Sequence, residues 1–277
     1  MIPLSFYPEK MLPTQPSLVD EVWARVYAEA EAVAKKEPLL DGMLADVILS
    51  RGSLEDAVAA RLARKLARRD MSRDDLEPLI RSVFRDNALI AHLLAADLQA
   101  VVDRDAACRT PLEPLLFFKG FHALCAHRVA HELWKEKRVM TSLLFQSMAS
   151  EVFAIDIHPA ARMGCGILVD HGTGVVIGET AIVENGVSLL HEVTLGGTGK
   201  QESDRHPVVR SGVLIGAGAK VLGRVEIGEC AKIAASSVVL ADVPPHTTVA
   251  GVPAAIVGVT DDANPAMDMN QDLCCRS

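Results

Sequence analysis

IDIHPAARMGCGILVDHGTGVVIGETAIVENGVSLLHEVTLGGTGK (residues 155–200) and VVRSGVLIGAGAKVLGRVEIGECAKIAASSVVLADV (208–243) share one rhythm. A small aliphatic residue returns at every sixth position: Ile157, Met163 and Val169, then Ile177, Val183, Leu189 and Leu195. After a break come Val209, Ile215, Val221, Ile227, Ile233 and Val239. A second series runs four residues behind it, with Ala181, Val187, Val193, Val213, Ala219, Val225, Ala231, Ser237 and Val243. Neither the 3.6-residue period of a helix nor the two-residue alternation of a half-buried strand produces this pattern. A fixed hexapeptide period is the signature of a β-solenoid in which each unit forms one flat side. Three sides close a coil, and coils stack at the strand spacing of about 4.8 Å around a narrow aliphatic core. The alternative, a β-sandwich with evenly spaced turns, requires longer alternating strands than this sequence contains.

The 277 residues allow one large domain or two ordinary ones. With 49% hydrophobic and 23% charged residues, the chain has a globular, soluble composition. Its 4% of aromatics suits a core of Val, Ile and Ala. The net charge of −8 speaks against nucleic acid and anionic membranes as partners. No apolar run reaches the ~20 residues that span a bilayer. The N-terminus, MIPLSFYPEKMLP, lacks a basic region followed by an apolar one. The six cysteines (Cys108, Cys125, Cys165, Cys230, Cys274, Cys275) form no CxxC pairs and read as reduced thiols. These features give the expectation of a cytoplasmic protein.

Ahead of the solenoid, residues 1–16 read as a loose lead-in and 17–153 as all-helical. Ser17 caps LVDEVWARVYAEAEAVAKKE, which has acids in its first turn and lysines in its last. Pro38 opens a second helix, Ser53 a third with Leu54, Val58, Leu62 and Leu66 in one stripe, and Ser72 a fourth with a capping box. A fifth runs from about Asn87 to Val102, and residues 117–153 are strongly helical. The apolar stripes are wide, as for a domain that also buries surface against other subunits. His127 and His131 lie four apart but lack a third ligand at metal spacing, and read as packing or surface histidines. The solenoid spans 154–258. Residues 259–277 are polar and read as a flexible tail.

Two irregularities interrupt the repeat. In VDHGTGVV (169–176) the step from Val169 to Ile177 is eight residues instead of six, and GGTGKQESDRHP (196–207) lacks aliphatic steps and reads as an extruded loop. The first bulge carries His171. One coil plus two inserted residues further on stands His191, so the repeat stacks the two imidazoles. With Asp170 and the Arg205-His206 pair of the loop they make a polar cluster on an apolar scaffold. A histidine whose ordinary pKa is about 6.5 can serve as a general base. The same residues admit two other readings. They can be corner histidines bonded only to backbone. Alternatively His158, His171, His191 and His206 gather zinc in a hydratase-like enzyme.

DIHPAA, DHGTGVVIGETA, GGTGK with DRHP, VLIGAGAKVLG and VPPHTTVAGVPA together resemble the serine O-acetyltransferase family. The resemblance covers roughly residues 80–258. FFKGFHALCAHRVAH is similar to that family's domain junction. The resemblance implies an α+β protein: an N-terminal helical domain followed by a left-handed parallel β-helix. It implies transfer of acetyl from acetyl-CoA to the hydroxyl of L-serine, giving O-acetylserine for cysteine biosynthesis. No permanently bound cofactor and no metal are implied. It also implies a homotrimer or a dimer of trimers, with acetyl-CoA lying between neighbouring solenoids.

Carried over residue by residue, the resemblance makes His171 the general base and Asp156 its orienting carboxylate. Arg205 and His206 bind the serine carboxylate, and Asp105 and Asp170 its ammonium group. Gly197, Ala217 and Ala235 let the pantetheine arm lie close, and Lys232 meets the nucleotide phosphates. L-Cysteine is expected to occupy the serine site as a feedback inhibitor. Two departures stand out. The family's GVPAR is GVPAA here, with Ala255 in place of a basic residue. Many members end in an isoleucine that enters O-acetylserine sulfhydrylase, whereas this chain ends Leu273-Cys274-Cys275-Arg276-Ser277, which puts that complex in doubt. The rivals are an acetyltransferase for another hydroxyl and a non-catalytic solenoid that assembles partners.

Overall fold

A computed structural model describes residues 17–199, 203–260 and 262–272. The lead-in, Lys200 of the GGTGK motif and the Leu273–Ser277 ending lie outside the described residues. The helical part runs α1 (Leu18–Lys36), α2 (Pro38–Leu44), a π-helical turn (Ala45–Leu49), α3 (Leu54–Leu66), α4 (Arg73–Asp86) and α5 (Leu89–Arg104). It continues through α6 (Leu112–Phe117), α7 (Lys119–Lys135) and α8 (Val139–Phe153). Local chemistry sets the starts. Ser17 and Ser72 each accept a main-chain N–H three residues on, and Asp20 and Asp75 return the bond as capping boxes. Ser53 caps α3 from Asp56 N–H at 3.2 Å. The Leu54, Val58, Leu62 and Leu66 stripe of α3 is buried.

Ala154 ends α8 in the left-handed conformation (φ 56°) and turns the chain into β1 (Ile155–Ile157). From there short strands repeat in threes around a prism. One face holds β1, β4 (Val175–Ile177), β7 (Thr194–Gly196), β10 (Lys220–Leu222) and β13 (Val238–Val239). The second holds β2 (Arg162–Met163), β5 (Ile182–Val183), β8 (Val208–Val209) and β11 (Glu226–Ile227). The third holds β3 (Leu168–Val169), β6 (Ser188–Leu189), β9 (Leu214–Ile215), β12 (Lys232–Ile233) and β14 (Thr247–Gly251), with β15 (Ala254–Val259) antiparallel at its end. All other pairings are parallel, and register gives the coil length directly. Val208 pairs Glu226 and Leu214 pairs Lys232, a step of 18. Leu168 pairs Ser188, a step of 20, and Ser188 pairs Leu214, a step of 26. The bulge at 169–176 thus inserts two residues and the loop at 196–207 inserts eight. Both sixfold aliphatic series point inward and are buried.

A buried ion pair joins the two parts. Arg128 on α7 donates to Asp97 on α5 at 2.9 and 2.6 Å and to the Gly164 carbonyl at 2.8 Å, while Ile167 N–H donates to Asp97 at 2.9 Å. His127 and His131 pack at the same junction: His127 is buried, and His131 Nδ1 lies 2.7 Å from the Pro159 carbonyl. Gly120 lets α7 touch the first coil, because a Cβ there would overlap the Val169 carbonyl oxygen.

The segment 262–272 differs from the loose tail that composition indicates. Its short helix α9 (Pro265–Asp268) buries Pro265 and Ala266. Ser188 donates to the Ala266 carbonyl at 2.9 Å, and Arg104 spans the last helical turn of α5 and the solenoid through Ser188 (3.1 Å) and Met267 (3.1 Å). A few apolar contacts and main-chain bonds to a rigid sheet are enough to order a polar strap. Among the described residues no helix is long and apolar enough to cross a membrane.

Candidate active site

The two-residue insertion shapes the first group of side chains. At the corner leading into the first face, Gly174, Glu192, Gly218 and Ser236 take left-handed φ in successive coils. His171 adds a left-handed residue (φ 54°) that the other coils lack, and its side chain is 75% exposed. A non-glycine residue in this region is strained unless its surroundings hold it. Here Thr173 N–H closes back on the His171 carbonyl at 2.9 Å, and Gly174 N–H bonds the Ala154 carbonyl at 2.7 Å. The strain therefore presents the imidazole outward.

The offset of 20 puts His191 under His171, with ring centroids 5.9 Å apart at an interplanar angle of 65°. His191 Nδ1 is buried without a partner. Register continues this column through Ala217 and Ala235, since Leu189 pairs Ile215 and Ile215 pairs Ile233. The column thus changes from two imidazoles to two methyl groups, leaving an open ledge beside the histidines.

A cleft of about 590 Å³ lies between this corner and the helical domain. Asp105, Phe118, Lys119, Asp170, His171 and Thr173 line it. Asp105 ends α5 and accepts from Ala107 N–H at 2.8 Å. Asp170 lies 3.8 Å from His171 Nε2. Burial pushes the Asp170 carboxyl above the usual range; the His171 imidazole opposes this and the Asp105 charge adds to it. Two carboxylates sharing a half-buried cleft favour a cation between them. Lys119 reaches across to the Thr173 hydroxyl.

The second group sits at the opposite edge of the same face, beyond β4. Arg205 and His206 end the eight-residue insertion. Arg205 Nη2 pairs with Glu179 at 2.6 Å. His206 is buried against the turn at Gly178, where a Cβ would overlap its ring. Burial and the neighbouring Arg205 cation hold the His206 imidazole below its usual pKa, keeping it neutral at pH 7. Gly197 is exposed, with Arg205 packed beside it. In one chain, therefore, His171 and Arg205-His206 are separated by a three-residue strand, about 10 Å of extended backbone.

Asp156 projects from β1 on this same face and accepts from Gln146 Nε2 at 2.7 Å. It pairs in register with Val176, five residues past His171, and among the described residues no hydrogen bond joins it to the imidazole. Lys232 is also placed differently from a phosphate contact on an open surface. It is buried, and its Nζ donates to the Asp272 carbonyl at 2.6 Å, with Asp262 at 4.0 Å. The docked strap covers it.

Glu179 and Thr180 escape a reading by repeat alone. Their signal is that GET directly follows a core position, Ile177, at the corner where the eight-residue loop returns. The four histidines of the zinc reading divide between two corners. His158 is held at the second, its Nδ1 accepting from Ala160 N–H at 3.1 Å and its ring edge-on to Trp134. Among the described residues no three metal-binding side chains converge.

Comparison with known proteins agrees with this architecture. Residues 22–126 match the model of the serine acetyltransferase N-terminal domain, and 206–241 match the bacterial transferase hexapeptide model of six repeats. The serine acetyltransferase of Haemophilus influenzae is 48% identical over 251 residues, covering 91% of this chain and 94% of the relative. A Brucella abortus serine acetyltransferase solved in complex with coenzyme A is 51% identical with a TM-score of 0.86, covering 87% of this chain and 97% of that one. A serine acetyltransferase solved in complex with cysteine is 48% identical with a TM-score of 0.90, covering 91% and 98%. Similarity at this level across both the helical domain and the coils that carry the histidine corner shows that the chain belongs to the serine acetyltransferase family.

Proposed function

We propose that the protein transfers acetyl from acetyl-CoA to the L-serine hydroxyl, with His171 as general base. The observation that carries this reading is the strained, outward-facing His171 beside the Asp105–Asp170 carboxylate pair. A serine ammonium group between those carboxylates points its hydroxyl at the imidazole. His171 takes the hydroxyl proton as the oxygen attacks the thioester carbonyl. The tetrahedral oxyanion collapses, the C–S bond breaks, and the imidazolium returns the proton to the departing thiolate. No covalent acetyl-enzyme is formed.

The serine carboxylate calls for Arg205 and His206, which one chain holds at the other edge of the face. A threefold assembly, in which the first corner of one solenoid meets the second corner of the next, completes the site. The same arrangement brings Asp156 of one copy to His171 of its neighbour, where it orients the ring and stabilises the imidazolium. Acetyl-CoA lies in the groove between copies, its pantetheine on the ledge of Ala217 and Ala235 and near Gly197. Lys232 reaches nucleotide phosphates only after the 262–272 strap lifts. L-Cysteine, with the same ammonium and carboxylate, competes with serine.

The test is CoA release from acetyl-CoA with L-serine, D-serine, homoserine or water. The expected result is release that requires L-serine and falls on addition of L-cysteine. Release indifferent to the amino acid overturns the reading.

A further inference from the structure

Thr180 stands at the centre of the second corner. Its Oγ1 accepts the main-chain N–H of both Arg205 (3.0 Å) and His206 (3.1 Å). Its own N–H points at His206 Nδ1 at 3.1 Å, and its hydroxyl lies 2.9 Å from the same nitrogen. These contacts have one consistent set of proton positions. A main-chain N–H can only donate, so Nδ1 is the bare nitrogen. The hydroxyl oxygen already accepts twice, so its proton is directed to Nδ1. The neutral His206 ring therefore carries its proton on Nε2. Two further observations fix the ring: Gly178 leaves the space it occupies, and Arg224 Nη1 bonds the carbonyls of Thr180 (3.3 Å) and His206 (3.1 Å).

We propose that Thr180 is a positioning residue for the amino-acid carboxylate. It selects the Nε2–H form of His206 and holds the Arg205-His206 backbone so that guanidinium and imidazole N–H converge on one anion. This rests on the reading that those two residues bind that carboxylate. Glu179 has the complementary part: it pairs with Arg205 Nη2 at 2.6 Å and orients the guanidinium. A carboxylate needs donors, and an imidazole in the other tautomer would present it a lone pair. Losing the hydroxyl also strips two N–H groups of their acceptor.

The test compares Thr180→Val, Thr180→Ser and His206→Ala in the full-length enzyme. Thr180→Val keeps the shape and removes the hydroxyl. It is expected to raise the L-serine KM at least about tenfold, with kcat and the acetyl-CoA KM within about twofold. Thr180→Ser is expected to restore the serine KM. Magnetic resonance of isotope-labelled histidine nitrogens is expected to show Nε2–H His206 in the wild type, with a weaker preference for that form in Thr180→Val, which keeps the main-chain N–H to Nδ1 and loses the hydroxyl donor. An unchanged serine KM in Thr180→Val, equal loss in Thr180→Ser, or a wild-type Nδ1–H ring overturns the proposal. His206→Ala isolates the underlying reading. An unchanged serine KM in that variant removes His206 from the carboxylate site, while the nitrogen spectra still decide what Thr180 does to the ring.

Discussion

At the scale of single residues, the cleft is built from groups held away from their ordinary preferences. His171 is a left-handed histidine, and Asp170 is a carboxyl that burial pushes upward. His171→Ala should lower kcat at least about 10²-fold with the assembly intact, as measured by steady-state kinetics beside light scattering. Asp105→Ala should mainly raise the L-serine KM. For Asp170 the sign follows from the ionised form being the one that holds an ammonium group. As pH falls, Asp170 takes its proton earlier than an ordinary carboxyl, and the serine KM should rise on that acidic limb. In Asp170→Asn the KM should be high at every pH and the limb flat. Stability runs the other way. A carboxyl with a raised folded pKa binds its proton more tightly in the native state, so ionising it above that pKa costs stability. Asp170→Asn should therefore melt at or above the wild-type temperature at pH 7 while binding serine poorly.

At the scale of elements, the site depends on how the helical domain grips the first coils. Asp97 is 1% exposed and Arg128 5%, and their bonds to Gly164 and Ile167 fix α5 and α7 against the turn that leads to β3. Asp97→Asn leaves a buried guanidinium uncompensated and should cost about 3–5 kcal/mol, read as a lower melting temperature. Gly120→Ala forces α7 off the Val169 carbonyl and should cost about 1–3 kcal/mol. Because that contact adjoins Asp170 and His171, it should also raise the serine KM. How readable these elements were in the sequence varied with the range of the interaction. Ser17, Ser53 and Ser72 announce helix starts because a cap bonds only three residues away. The Asp97–Arg128 pin is invisible there, since its partners are 31 residues apart and nothing local selects one arginine among many.

At the scale of the whole molecule, the proposed site draws on two corners that one chain holds at opposite edges of one face. Mixing subunits of His171→Ala with subunits of Arg205→Ala, each impaired alone at serine well below its raised KM, should restore activity, because some interfaces then pair two unaltered halves. Random exchange in a threefold ring gives about a quarter of wild-type activity. No recovery after demonstrated exchange would place both halves in one chain. The sequence by itself determined the solenoid, its core and the stacking of His191 beneath His171. In a stacked coil, spatial neighbours sit at a fixed sequence offset, so counting residues is a geometric measurement. Only the tertiary structure decided that Arg205 and His206 return to Gly178 and Thr180, that Asp156 bonds Gln146 beside Val176, and that residues 262–272 settle over Lys232. An extruded loop and a terminal strap lie outside the repeat. Their positions follow from particular hydrogen bonds and small contact areas, which no period encodes.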